Sequence, residues 1–349
     1  MDNKREIYAD LIRTISIIFV LIIHTTCNYF VTSYGNKSFT YMLIISSLTA
    51  AAVPLFYAIS GTFLINKKNI DYKKFYKKVV KIFLQTIFWT FIYLLIYKFV
   101  LNQNVNITKT MVKSIFSSQV VHLWFMYPLI ALYIFTPFIS RLYYAISDSE
   151  KRVLLLITLI IPAVLSTIQM KFWDIISIPK FAIIFPELGL FILGKYIYDN
   201  KEKLFSKKVK VLSFISAIIS LLLVIGLSWL YIKHQGISNS KPYFDASKIT
   251  ILMLVASIYI FILSINDNLN KLPKNINQLI CSIGKCTGGI YFIHMVFVEV
   301  FPDISIFGFH IGQNIYGISN MILGAFFYFI VSYIVVLLIK KIPILKRVV

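Results

Sequence analysis

The sequence predicts an all-α polytopic membrane protein, with about ten transmembrane helices in one bundle and both the N- and C-termini cytoplasmic. Composition is the first reason. Of 349 residues, 58% are hydrophobic and 14% charged, whereas ordinary soluble domains carry roughly 25% charge. Spacing is the second: apolar runs long enough to cross a ~30 Å hydrocarbon layer recur with little chain between them, leaving no length for a soluble core. Charge is the third. With the N-terminus inside, 26 of the 35 Lys and Arg fall on cytoplasmic segments and nine on outer ones, the asymmetry that orients helical membrane proteins. The net charge of +21 therefore reads as topology and not as affinity for nucleic acid. Residues 1–349 read as a single integral-membrane domain.

The first span, residues 11–30, follows a weakly basic start and is too long for a secretory signal. No A-x-A cleavage site follows it, so it reads as a retained helix. The second and third spans, 43–65 and 79–101, flank the richest inner loop, with seven lysines from Lys67 to Lys81. The fourth, 122–140, opens from the outside on His122-Leu123-Trp124-Phe125. The fifth and sixth, 153–170 and 181–198, lead into a second basic stretch, with six lysines from Lys195 to Lys210. Spans 211–232, 247–265, 283–301 and 315–339 complete the set. Pro54, Pro128, Pro137, Pro162 and Pro186 predict kinks whose freed carbonyls are met by neighbouring helices or water. Gly284 and Gly288 form a GxxxG, which reads as a close helix-packing face. The longest outer loops, 102–121, 171–180, 233–246 and 302–314, are too short to do chemistry alone, so any active site lies inside the bundle. Cys27, Cys281 and Cys286 match neither a CxxC nor a zinc pattern and read as inert thiols. No metal site is expected, since neither carboxylate nor Cys stands at ligand spacing beside the histidines.

Asp10, Arg13 and His24 set three ionisable groups into the first span. Charge at a membrane centre costs about 2.5–3.5 kcal/mol on insertion scales, which makes such groups functional-site candidates. Eleven steps of ~100° return His24 to within about 20° of the Arg13 face, and ~1.5 Å per residue separates the two by about 16 Å. Asp10, three residues before Arg13, pairs with it and orients its guanidinium. The Arg13 fork suits phosphate or carbonyl oxygen, and a neutral His24 suits a general base that takes a proton from a hydroxyl. His294 reaches a similar height on another span that starts inside, and His122 borders the same layer from above. A structural reading stands beside each of these. A transmembrane His also hydrogen-bonds across helices, His122 beside Trp124 also fits an aromatic belt, and Asp10 with Arg13 also serves as an anchor. Lys74, Lys77, Lys78 and Lys81 also suit a topology signal or an anionic-lipid contact. Tyr34, Tyr41, Trp173, Tyr243 and Phe244 suit either stacking on sugar rings or the interfacial belt.

Four stretches in order then carry a resemblance: Asp10-Leu11-Ile12-Arg13 with His24, Val53 through Ser60-Gly61, His122-Leu123-Trp124-Phe125 through Tyr133 to Pro137, and Gly289 through His294. Together, over nearly the full length, they resemble the integral-membrane acyltransferase family 3. The chain looks most like its branch that O-acetylates surface glycans such as the enterobacterial common antigen. The resemblance implies a bacterial plasma-membrane enzyme that takes an acyl group from cytoplasmic acyl-CoA, acetyl-CoA above all, to a hydroxyl of a saccharide or lipid-linked glycan. The family's Arg-x10-His pair maps onto Arg13 and His24, with the histidine as base. Its Arg-x-x-Arg motif maps onto Lys78-Val79-Val80-Lys81, where lysine keeps the charge and loses the bidentate fork. Ser60-Gly61 matches its Ser-Gly step. The expected site is therefore His24, Arg13 and Asp10 for chemistry, Arg13, Lys78, Lys81 and Ser60 for the donor, and His122, Trp124 and His294 for the acceptor. The alternative is a proton-coupled transporter or flippase whose path runs through Asp10, Arg13 and His24.

Overall fold

The computed structural model describes residues 6–66, 70–171, 186–237, 244, 247–306, 309–312, 317–343 and 345–349. Fourteen α-helices carry these residues: α1 Ile7–Thr32, α2 Ser38–Thr49, α3 Ala52–Leu64, α4 Tyr72–Leu95, α5 Ile107–Ser114, α6 Met126–Ala145, α7 Asp148–Leu155, α8 Ile161–Lys171, α9 Pro186–Asp199, α10 Lys207–Gln235, α11 Ile249–Ser264, α12 Asn266–Asn270, α13 Lys274–Val300 and α14 Ile318–Lys341. Among the described residues, eight helical stretches are long and apolar enough to cross a bilayer. They coincide with eight of the ten predicted spans. The other two are not among these eight. Helix α11 has 16 residues, about 24 Å of rise, and the sixth predicted span begins before the described residues resume at α9. Trp173, Tyr243 and Lys67 also lie outside the described residues. Among the described residues the all-helical expectation has one exception, an antiparallel ribbon of β1 Asp303–Ile306 and β2 Phe309–Gly312 in the loop after α13.

Caps and prolines set the breaks. The Asp71 side chain accepts from the Lys74 amide to start α4, Ser206 accepts from the Val209 amide to start α10, and Ser147 with Glu150 forms a capping box on α7. The second predicted span is two helices, broken at Ala50–Ala51, which puts Pro54 in the first turn of α3 where no intrahelical partner awaits its missing N–H. Pro162 follows a π turn at Leu156–Ile160, and the wider turn relieves the clash between the proline ring and the carbonyl four residues back. Val80, Leu84, Phe88 and Phe91 form an exposed stripe along α4, and Ile215, Ile218, Leu222 and Leu223 one along α10. Water does not tolerate apolar patches of that size, whereas lipid does.

Inside the bundle, small residues and hydroxyls make the contacts. A Cβ on Gly61 would overlap the Phe191 carbonyl, and one on Gly194 would overlap the Ala58 carbonyl, so α3 and α9 touch backbone to backbone. Gly61→Ala is therefore expected to cost at least the ~1–3 kcal/mol of ordinary overpacking, because a backbone carbonyl cannot rotate aside. Its melting midpoint in detergent should fall clearly, and an unchanged midpoint would show that the two helices do not meet there. Tyr93 donates to the Phe292 carbonyl at 2.7 Å between α4 and α13, and Thr62 pairs with Tyr259 at 2.6 Å between α3 and α11. Helices α1 and α13 run parallel: Asp10 packs against Gly284 toward one end, and the His24 and His294 rings meet 5.3 Å apart toward the other. The last residues turn back against α4, where Gln85 donates to the Arg347 carbonyl at 2.9 Å and Trp89 to the Val348 carbonyl at 2.7 Å. Nothing in the hydropathy pattern signals that return.

Candidate active site

A cavity of about 220 Å³ lies between α1, α3, α4, α6 and α13, with Arg13, Ser60, Gln85, Tyr133, Gly288 and Tyr291 among its walls. Arg13 reaches it from α1. One guanidinium N–H goes to Asp10 at 3.1 Å, and the plane lies 5.1 Å from the Phe63 ring centre. Asp10 is fully buried against Gly284 and does not line the cavity. Its part is to hold Arg13, and removing it would leave a half-buried cation without its carboxylate. Ser60 and Gly61 divide their work, the serine facing the cavity with Tyr133 and the glycine facing α9.

Past Tyr291 three imidazoles gather from three helical segments. The His24 ring centre is 5.3 Å from His294 and 6.2 Å from His122, and His122 is 5.3 Å from His294. Tyr291 ties this layer to the cavity it lines, since its hydroxyl donates to the His122 carbonyl and its ring centre lies 5.8 Å from His294. Both nitrogens of His122 and Nε2 of His294 are buried without a hydrogen-bond partner among the described residues. Each such group costs about 1–3 kcal/mol, so an arrangement of this kind calls for a polar visitor. A hydroxyl suits it. Among the described residues no His, Cys, Asp and Glu cluster has the geometry to hold a metal ion.

Two expectations change here. Trp124 does not join the histidines but stands 48% exposed on the outside of the bundle. The reason is the 3₁₀ turn Val121–Phe125, in which residues three apart eclipse. His122 and Phe125 share the inward side, while Val121, 80% exposed, shares the outward side with Trp124. Phe125 is the residue that lines the cavity. The GxxxG reading of α13 also divides. Gly284 packs on Asp10, but a side chain at Gly288 would meet open space, and Gly288 lines the cavity. The second packing glycine is Gly289, which lies against Val336 of α14.

Lys78 and Lys81 are exposed on α4 and do not line the cavity. They stand one turn before Ile82 and Gln85, which do, and so flank it on one helix face. Cys27 is an exposed free thiol on a separate cavity of about 400 Å³, with Thr26, Phe30 and Phe244. Tyr34 and Tyr41 are exposed and approach none of these groups closely enough to serve the cavity.

A family model described as an acyltransferase domain matches residues 6–341 of the chain. No curated protein and no solved structure matches it.

Proposed function

The chain belongs to acyltransferase family 3, and from that premise we propose that it moves a short acyl group, acetyl first, from cytoplasmic acyl-CoA to a hydroxyl of a saccharide or lipid-linked glycan at the outer face of a bacterial plasma membrane. One observation supports this above the others: Tyr291, a wall of the cavity that Arg13 lines, also packs against the cluster of three imidazoles, although none of the three lines the cavity itself. At about 220 Å³ it is smaller than the 300–1,000 Å³ of sites that bury a drug-sized ligand. It suits a thin thioester arm and leaves a bulky nucleotide outside, where Lys78 and Lys81 offer positive charge to phosphates. Arg13 then meets the arm as a hydrogen-bond donor, and Ser60 sits beside it.

In the transfer step His24 takes the proton of the acceptor hydroxyl as its oxygen attacks the thioester carbon. The carbonyl electron pair moves to oxygen and returns as the C–S bond breaks, and His24 passes its proton to the departing thiolate. No charge leaves the site unbalanced. His122 faces the acceptor with two free nitrogens, one able to donate and one to accept.

Purified protein reconstituted in liposomes with labelled acetyl-CoA inside and a panel of glycan acceptors outside tests this directly. Label is expected to appear on the acceptor in an alkali-labile ester. Acceptor or coenzyme crossing the bilayer with no ester formed would replace the proposal with transport.

A further inference from the structure

Among the three imidazoles, His294 has its tautomer set by the chain itself. Its Nδ1 lies 2.7 Å from the Tyr291 carbonyl oxygen and 3.2 Å from that of Ile290, one helical turn back. A carbonyl oxygen only accepts, so Nδ1 carries the proton and Nε2 keeps its lone pair. That Nε2 is buried, and no group among the described residues donates to it. The ring centre stands 5.3 Å from that of His24. Because His294 is held at Nδ1, the half-buried His24 ring is the one that turns, and at that separation a nitrogen facing Nε2 comes within about 3 Å, which is hydrogen-bond reach. The fully buried His294 is thus a fixed acceptor beside a half-buried His24.

We infer that His294 is the positioning residue for His24, an inference that rests on the reading of His24 as the base. Its Nε2 accepts an N–H from His24, and this forces the other His24 nitrogen to present its lone pair to the acceptor hydroxyl. The bonds form one line: the Tyr291 and Ile290 carbonyls, His294, His24, and the hydroxyl. A buried acceptor that holds a histidine base in the right tautomer and steadies its imidazolium is the logic of the catalytic triad. Here a neutral imidazole stands where the triad has a carboxylate. When the acceptor O–H bond breaks, the proton goes to His24, and when the C–S bond breaks, the same proton goes to the thiolate. His294 gains and loses none.

His122 does not fill this role. Its ring centre is farther from His24, at 6.2 Å, and with both nitrogens unpartnered the chain leaves its tautomer unset. Glu299, five residues beyond His294, is engaged at Oε1 by Tyr97 at 3.2 Å.

Two substitutions test the inference. His294→Leu removes the acceptor, whereas His294→Gln sets an amide oxygen near the place of Nε2. The triad sets the scale, since a base held in the wrong tautomer loses up to about 10⁴ in kcat. For a neutral orienting group we expect kcat to fall about 10²-fold in the Leu variant with the KM for acetyl-CoA unchanged, and the Gln variant to recover at least about tenfold of that loss. Equal activities in the two variants, a Leu variant within twofold of the wild type, or a raised KM with kcat intact would each overturn it. If neither variant accumulates in the membrane, a proton inventory of the wild-type protein in H₂O–D₂O mixtures decides. A bowed plot is expected, from the transferred proton together with the His24–His294 hydrogen-bond proton, whose bond tightens as the imidazolium forms, and a straight one overturns the inference. His24→Ala assayed alongside separates the failures: an active His24→Ala sinks the base reading, and an inactive one beside an unimpaired His294→Leu sinks only the orienting role.

Discussion

His24→Ala is expected to abolish measurable acyl transfer while the protein still reaches the membrane. General-base catalysis contributes about 10²–10⁴-fold; the Asp10 carboxylate is sealed against α13, and in the proposed arrangement the His294 lone pair is taken by His24, which leaves His122 as the other imidazole near the acceptor. Folding should survive the change. His24 is only half-buried, and α1 is held elsewhere, by Asp10 against Gly284 and by buried Ile12, Ile17 and Leu21. Ester formation on a glycan acceptor, normalised to protein in the membrane fraction, measures the effect. Transfer within about tenfold of the wild type would place the base elsewhere, with His122 the next imidazole in the cluster to test.

The sequence carried the membrane class, the first-span residues and the four stretches that mark the family, because each depends on local facts: hydropathy over a window, a charge where lipid forbids one, or a short motif. Eight predicted spans fall on observed helices for the same reason. What the sequence hid depends on backbone detail. His122 and Trp124 lie two residues apart and look like one motif, yet a 3₁₀ turn sends one inward and the other out, and an α-helical reading cannot anticipate that split. The break at Ala50–Ala51 lies inside a continuous apolar run and leaves hydropathy unchanged. The gathering of His24, His122 and His294 joins residues far apart in the chain, and a height estimate from helical rise placed them in one layer without showing that they touch. The His294 tautomer was equally hidden, since every helical residue stands three and four positions beyond two others, and only the 2.7 Å approach of its Nδ1 to the Tyr291 carbonyl fixes it.

Gly288→Leu carries the second large effect, and it separates the cavity from the packing of the helix that lines it. If Gly284 and Gly288 formed one packing face, a large side chain at either would drive α13 away from its neighbour and unfold the protein. The two positions differ instead: a Cβ at Gly284 collides with the Asp10 carboxylate, while one at Gly288 meets nothing within 4 Å. Leucine there replaces the poorest helix former short of proline, a change that favours the helix by up to about 1 kcal/mol, so the melting midpoint should hold or rise. Its four carbons, however, enter a cavity of only about 220 Å³ beside Ser60, Thr287 and Tyr291. An arm that must thread that space from Arg13 toward His24 meets a wall. We expect kcat/KM for acetyl-CoA to fall by more than about 10²-fold, equivalent to about 2.7 kcal/mol of lost transition-state stabilisation. Gly288→Ala, with one added carbon and open space to receive it, should keep most of the activity. Stability and turnover then move in opposite directions in the Leu variant, which general damage to the fold cannot produce. A stable Gly288→Leu protein with undiminished turnover would mean that the donor reaches the histidines by another route.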